Sequence, residues 1–508
     1  MILSGRKDSL ISSSTIDDVL QNVRYFCWIF FRYNDEPDPK SGFFNDINME
    51  EDMDRIMIAA THSGAGKTTI TSGLIRAIKN RGLKVQPYKV GPDYIDTSYH
   101  KLASGLDSHN LDEFILGKDE IRRIFTDYAL TSDISVTEGV MGLFDGYQSD
   151  SDYCSSASMA KILDCPVILI IDAKAMAGSA AALVKGFVEF DKELDIKGVI
   201  LNNVSSENHF NILKKAIENY VQVKVLGRLP KQKDISLPSR HLGLVMQDEI
   251  QDSESKMQVM ANLVEEYVDI DEILKISKVK ALTGSSKKIN KNYSGVRLAV
   301  AYDKAFNFYY PDSLNLIKKA GITIKYFSPL ADKRIPDCDG IYLGGGYPEV
   351  FADELSQNTY MLDSIKTAAD NGMPIYAECG GLMYLGEYLL DDDNNKFEMS
   401  KIFAGYSKMS KGLKRFGYCE GKLTKATAIG YTGQIVRGHE FHHSEFFTDM
   451  PTVYKMQKEL SDGSVSKWES GYIYKNTFGT YLHTHFGSNY EMIYKFCEAM
   501  EVYSEPHI

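Results

Sequence analysis

Short apolar runs rich in Val and Ile recur through the first half of the chain: RIMIAA (55–60), KVQPYKV (84–90), DISVTEG (133–139), PVILIIDA (166–173), KGVILNNV (197–204) and VKVLGRLP (223–230). Longer amphipathic stretches separate most of them. Such alternation predicts a parallel sheet with helices on both faces, a doubly wound α/β domain. The polar run LTGSSKKINKNYSG (282–295) breaks the pattern and reads as a linker. A second strand–helix series starts at VRLAVAY (296–302) and continues through ITIKYF (322–327), GIYLGGG (340–346) and MPIYAEC (373–379). Beyond residue 400 aromatic and Gly content rises and the helical period fades, which predicts mostly antiparallel strands. No repeat at solenoid spacing is present. The expected division is one α/β domain over 54–281, the linker over 282–295 and a second α/β domain over 296–508. Residues 1–53 carry a Ser run, an aromatic cluster from Tyr25 to Phe31 and a polar DEPDPKSG segment without clear period. They are expected to be a poorly ordered or spurious extension, with translation starting near Met49 or Met53.

Bulk properties narrow the function classes. At 508 residues the chain exceeds what one core organises, in keeping with two domains. A net charge of −12 argues against a nucleic-acid partner. Seven scattered cysteines without a CxxC pair fit a reducing cytoplasm. No apolar run reaches the length of a membrane-spanning helix, and CWIFF is too short and lacks the order of a signal peptide. A cytoplasmic enzyme is the expectation; a homodimer is compatible with it.

The segment from Thr61 to Thr68, THSGAGKT, follows a strand and opens a helix, the context a phosphate-binding loop requires. Backbone N–H groups over Ser63, Gly64 and Gly66 would wrap the phosphates, Lys67 would supply a point charge, and Thr68 and Thr69 would complete the ATP site. Thr61 replaces the first glycine of the strict pattern. Glu138 ends a buried strand, well placed with the Thr68 hydroxyl to hold Mg²⁺ beside phosphates. In YKVGPDYIDTSYH, Lys89, Asp93 and Asp96 fall at the carboxyl end of a second strand, the edge where open α/β sheets bind ligands. Asp93 is read as a metal or substrate-positioning carboxylate rather than a turn stabiliser. Asn202 and Asn203 could contact a nucleotide base or simply form a turn.

Cys379 lies where a short strand turns through Glu-Cys-Gly-Gly into a helical pattern. That layout lifts one thiol to the positive end of a helix, which should lower its pKa. A thiolate attacking an amide needs a base and an oxyanion hole. His483 and His485 in NTFGTYLHTHF would share one face of an extended segment, so either could be the base. His439, His442 and His443 in VRGHEFHHSEF better suit a substrate pocket or pairing with Glu440. The glycines of GIYLGGG, Gly345 and Gly346, with the amide of Gly380, could form the oxyanion hole.

Taken together, ATHSGAGKTT, VGPDYID, TEGVMGLFDG, VAYDKAFNFYYPDSL, LGGGYPE, AECGGLMYL, RGHEFHHSEF and GTYLHTHF resemble the glutamine-dependent cobyrinate a,c-diamide synthases, over residues 55–498. The resemblance implies a dethiobiotin-synthetase-like ATP-binding domain followed by a class I glutamine amidotransferase domain. It implies that Cys379 attacks the glutamine side-chain amide and releases ammonia, with His483 as base. ATP and Mg²⁺ would phosphorylate corrinoid carboxylates, and ammonia would displace the acyl phosphate to give the amide. Substrate contacts are implied at Lys89, Tyr94, Asp96, Tyr310 and Asp312, and ATP contact at Asn203. Two positions depart from the pattern: His485 stands where many class I amidotransferases carry an orienting Glu, and Ser313 stands where the family more often has Asn. The unit reads as a Cys379–His483 dyad. Related synthases that amidate nickel sirohydrochlorin share these motifs, and so are an alternative. Cobyric acid synthases should lack a close GPDYID and YYPD match. A partitioning ATPase would carry Lys at His62 and no amidotransferase half.

Overall fold

The computed structural model describes residues 52–148, 151–231, 239–240, 243–244, 252–282 and 289–505. The expected extension (1–53), apart from Asp52 and Met53, and part of the linker (283–288) fall outside them. The first half is built on seven parallel strands: β1 (Arg55–Ala60), β2 (Val85–Val90), β3 (His109–Leu111), β4 (Ile134–Glu138), β5 (Val167–Asp172), β6 (Ile196–Asn202) and β7 (Lys224–Arg228). Their order is β3-β2-β4-β1-β5-β6-β7. Every residue of β1, β2 and β4 is buried; β1 (RIMIAA) reads as a nearly continuous apolar run, whereas β2 (VQPYKV) and β4 (ISVTE) bury polar side chains as well. Proline is unusual inside a sheet, but β3 pairs only from Tyr88 onward, so Pro87 occupies an open stretch of that edge.

Crossover helices cover both faces. The helix Lys67–Asn80 packs against Ser253–Tyr267, while Gly178–Phe190 packs against Glu207–Val221 on the other side. Several helices start on a side-chain cap that satisfies an orphan amide; Ser155 accepts from Ser158 N–H and Ser206 from His209 N–H.

The second half holds a six-stranded sheet. Its order is Thr323–Phe327, Arg297–Ala301, Gly340–Leu343, Ile375–Glu378, Thr477–Thr480 and Tyr472–Tyr474, with only the last strand antiparallel. A five-stranded antiparallel sheet runs Val465–Ser470, Tyr454–Glu459, Arg415–Leu423, Ile435–His442 and His483–Thr484. The antiparallel character expected beyond residue 400 is thus present. Its last strand delivers His483 to the carboxyl edge of the parallel sheet.

Polar contacts stitch the halves together. Asp312 Oδ2 lies 2.7 Å from His109 Nδ1, Tyr418 donates to Asp112 Oδ2 at 2.7 Å, and Asn315 donates to the Tyr128 hydroxyl at 2.9 Å. Among the described residues, no helix is long and apolar enough to cross a membrane.

Candidate functional site

The phosphate loop leaves β1 at Thr61 and enters its helix at Lys67. Gly64 (φ +82°) and Gly66 (φ +99°) adopt the left-handed conformation that keeps the loop's amides turned to one side. A Cβ on Gly64 would meet nothing within 4 Å, and Ser63 and Gly64 are exposed, so the lip of the loop is open. A Cβ on Gly66 would collide with Asn202 Nδ2. Asn202 is instead a brace: its Nδ2 donates to Ala65 O at 2.8 Å. Asn203, at φ +63°, takes its own N–H back to Asn202 Oδ1 at 2.9 Å. Lys67 reaches Met141 O at 2.5 Å, and burial, with Lys89 nearby, brings its ammonium down to about 8.

At the ends of β2 and β4 a buried charge cluster forms. Glu138 Oε1 accepts from Thr68 Oγ1 at 2.8 Å and from Lys89 Nζ at 3.0 Å, while Oε2 lies 2.6 Å from His100 Nε2. Burial alone would raise Glu138, but Lys89 and His100 outweigh it and hold the carboxylate ionised. Lys89 also pairs with Asp96 at 2.7 Å. Burial pulls that ammonium down, yet Asp96 and Glu138 keep it above the ordinary lysine range. Asp96 is pushed up by burial and by Asp93. Asp93 spends Oδ1 on the amides of Ile95 and Asp96, at 2.7 and 2.9 Å, so it supports the turn that opens the next helix. Sequence reasoning missed His100; its signal was position i+4 from Asp96 on one helical face.

A hard-cation site is compatible with this donor set. Adjacent ligands of an octahedral Mg²⁺ at about 2.0–2.1 Å stand roughly 2.9 Å apart. Thr68 Oγ1 and Glu138 Oε1 are 2.8 Å apart. Among the described residues, no group of three or more His, Cys, Asp or Glu could hold a metal without other ligands. Mg²⁺ commonly takes one or two carboxylates together with substrate phosphates.

The thiol sits at a strand-to-helix elbow. Cys379 has φ +45° and ψ −99°, outside the ordinary regions for an L-residue, between the strand Ile375–Glu378 and the helix Gly380–Leu385. A Cβ on Gly380 would lie 3.2 Å from Gly346 N, so the glycine turn after Leu343 passes close to the start of that helix. Gly346 itself has φ +156°, and a Cβ there would overlap Ala305 O. Gly345 faces His483 instead; a Cβ would strike the imidazole.

The expected low thiol pKa is not found. Burial, reinforced by Glu349 and Glu440, pushes Cys379 well above the ordinary cysteine range. A six-residue helix supplies too little dipole to reverse that. His483 is likewise driven far below 6.5 by burial and by His439 and His442. Burial thus favours the uncharged form of both groups.

The two candidate histidines part company. His483, 2% exposed, stacks on His439 with ring centroids 5.0 Å apart and lies 5.6 Å from Tyr94. His485 turns to Tyr310, at 4.9 Å, and its Nδ1 accepts from Gly487 N–H at 3.0 Å. His442 Nε2 lies 3.5 Å from Glu440 Oε2, the pairing expected of that motif.

Tyr94, from the first half, is packed among residues of the second: Phe308 at 5.0 Å, Tyr310 at 4.6 Å and His439 at 6.0 Å. It also borders a cleft of about 530 Å³ between the halves, lined by Ser98 and Lys101 on one side and by Asn307, Tyr309 and Lys318 on the other. Tyr310 and Asp312 do not line that cleft. Asp312 is 2% exposed and engaged with His109, which holds it at about 2 against the upward push of burial.

With this geometry in view, comparison with known proteins is direct. Residues 56–245 match the family model described as CobQ/CobB/MinD/ParA nucleotide binding domain, and residues 297–491 match the CobB/CobQ-like glutamine amidotransferase domain. A cobyrinate a,c-diamide synthase of Listeria monocytogenes is 50% identical over 452 residues, covering 88% of this chain and 100% of the relative. One from Salmonella typhimurium is 46% identical over 440 residues, covering 86% and 96%. Another, from Caldanaerobacter subterraneus, is 41% identical over 446 residues, covering 87% and 97%. Two sites of unlike chemistry, matched by two family models in one chain and by relatives along nearly their whole length, have one reading: the chain belongs to the cobyrinate a,c-diamide synthase family.

Proposed function

We propose that this protein amidates the a and c side-chain carboxylates of cobyrinate, with glutamine as nitrogen donor and ATP as the activating substrate. The observation that carries the reading is the elbow thiol Cys379, with the Gly344–Gly346 turn passing close to Gly380 beside it, in the same chain as the Lys67–Thr68–Glu138 phosphate site. The working units are an ATP-binding amidoligase domain over 54–281 and an amidotransferase domain over 296–508, joined by 282–295.

At the thiol site, His483 takes the Cys379 proton as sulfur attacks the glutamine amide. The Gly346 and Gly380 amides receive the developing oxyanion, with Gly345 forming the wall behind the imidazole. Ammonia leaves with the proton held by His483, and water then hydrolyses the thioester. At the phosphate site the amides over Ser63, Gly64 and Gly66 cradle the phosphates, Thr69 continues the loop, and Asn203 flanks the base. Lys67 exchanges Met141 O for a phosphate oxygen. Mg²⁺ would be held by Thr68 and Glu138, with Asp93 near, and supplies charge neutralisation of the transferring phosphoryl group. Lys89 and Asp96, at the same strand edge, orient the acceptor carboxylate, and Tyr94 and Tyr310 form the aromatic wall next to it. A carboxylate is a poor acyl donor at neutral pH; phosphorylation gives it a leaving group that ammonia displaces.

The test is an amidation assay with purified protein, glutamine and Mg-ATP, offering cobyrinate and nickel sirohydrochlorin in parallel and following products by mass. A diamide formed chiefly from cobyrinate is expected. Preference for the nickel tetrapyrrole would overturn the acceptor assignment, and no product from either would overturn both.

A further inference from the structure

The orienting Glu that many class I amidotransferases carry two residues after the catalytic His is absent here, since His485 occupies its place and turns away to Tyr310 and Gly487. We propose that Glu378, the residue immediately before the nucleophile, is the carboxylate that positions His483 and stabilises its imidazolium as the thiol is deprotonated. The inference rests on the glutaminase roles of Cys379 and His483 given above.

Glu378 ends a fully buried strand and is paired in register with Thr480, so the chain three residues later returns His483 to it. Its Oε2 lies 3.8 Å from His483 Nδ1. Among the described residues no other carboxylate comes within 4.0 Å of a ring nitrogen of His483, and that Nδ1 is buried with no hydrogen-bond partner. The carboxylate is fixed from its far side. Oε1 accepts from the Tyr376 hydroxyl at 2.6 Å and from Thr484 N–H at 3.2 Å, and Oε2 accepts from the Tyr342 hydroxyl at 3.2 Å. Three donors hold one rigid acid, and its remaining acceptor capacity on Oε2 faces the imidazole.

The proton balance is simple. The S–H proton of Cys379 passes to Nε2 of His483, and the S–H electron pair forms the new bond to the amide carbon. The imidazolium then presents Nδ1–H to Glu378, a gap that closes by about 1 Å to a charge-assisted bond of ~2.8 Å. Nε2 later returns its proton to the departing nitrogen, and Glu378 gains none.

A purely structural acid would show a different pH dependence. Glu378 faces the phenols Tyr376 and Tyr342, the more distant Tyr94, Tyr309, Tyr310 and Tyr454, His483 and the Cys379 thiol, none of them a cation at rest. Burial raises it to about 7, opposed by its donors. Glutamine hydrolysis should therefore fall as pH drops through about 7, where Glu378 takes a proton and can no longer face an imidazolium.

The experiment measures glutamine hydrolysis by the full chain from about pH 6 to about pH 9. Glu378→Gln is expected to lower kcat about 10- to 100-fold with KM nearly unchanged, and to lose the acidic limb. Tyr342→Phe removes one donor, so it should keep most activity and move the limb to higher pH. A folded Glu378→Gln with wild-type kcat and an unmoved limb would overturn the proposal. If that variant does not fold, an unmoved limb in Tyr342→Phe overturns it instead. Cys379→Ser separates the two levels: if it still hydrolyses glutamine, the amidotransferase reading itself is wrong.

Discussion

Replacing Gly345 by Ala places a methyl group against the wall of His483. An ideal Cβ there sits well inside contact distance of His483 Cε1, and 3.3 Å from both Nδ1 and Phe308 Cδ2. Carbon atoms rest at about 3.5–4.0 Å, so the imidazole must retreat by roughly 1 Å. It has nowhere easy to go, because His439 and Tyr94 pack against it with centroids 5.0 and 5.6 Å away. A misplacement of that size costs about 10²-fold in rate, and overpacking costs about 1–3 kcal/mol of stability. The assay is glutamine hydrolysis beside ammonia-driven amidation, with thermal unfolding on the same samples. Glutamine turnover is expected to fall about 100-fold while ammonia still supports amidation. Gly178→Ala, where a Cβ meets nothing within 4 Å, is the matched control. A folded Gly345→Ala with full glutamine turnover would refute the placement of His483 as base.

Three further outcomes are expected. Cys379→Ser should abolish glutamine-dependent product yet retain amidation from ammonium salts; loss of both in a folded variant contradicts two separate sites. Lys67 is brought down to about 8 in the nucleotide-free protein, and phosphates will raise it again, so Mg-ATP binding near pH 8 should take up about half a proton. Calorimetry in buffers of different ionisation enthalpy reads that uptake directly, and zero uptake refutes it. Asp312 is held at about 2 in the fold against an ordinary 3.8, which makes its contribution present above the ordinary value and lost as pH falls through about 2. Asp312→Asn should cost about 2 kcal/mol at neutral pH by urea unfolding, the difference closing between about pH 4 and about pH 2; a gap that persists in acid counts against the His109 pairing.

The parallel ladder was legible because strands buried on both faces write apolar runs, as RIMIAA in β1 and VILIID in β5 do. The three-residue β3 was not, since HNL carries too little pattern to stand out. The elbow was legible in Glu-Cys-Gly-Gly, but its electrostatics were not: helix position is local, while burial comes from the whole fold. Register hid the rest. Glu378 adjoins the nucleophile in sequence, yet its partner lies 105 positions on and is delivered by strand pairing with Thr480. His485 was expected on the face of His483, but the extended segment ends at Thr484 and His485 caps a short 3₁₀ turn.

Tyr94 carries one more consequence. One wall of the His483 imidazole is an aromatic ring from the opposite half, sealed by Phe308 and Tyr310. Cut at the linker, neither half would keep a finished surface: the amidotransferase piece would show raw Phe308, Tyr310 and His439, and the ligase piece a bare Tyr94 beside Asp93 and Asp96. Such apolar scars invite aggregation. The glutaminase is thus not a portable module that could be transplanted whole; its active-site architecture is co-owned, and any dissection or fusion of this enzyme must carry both owners.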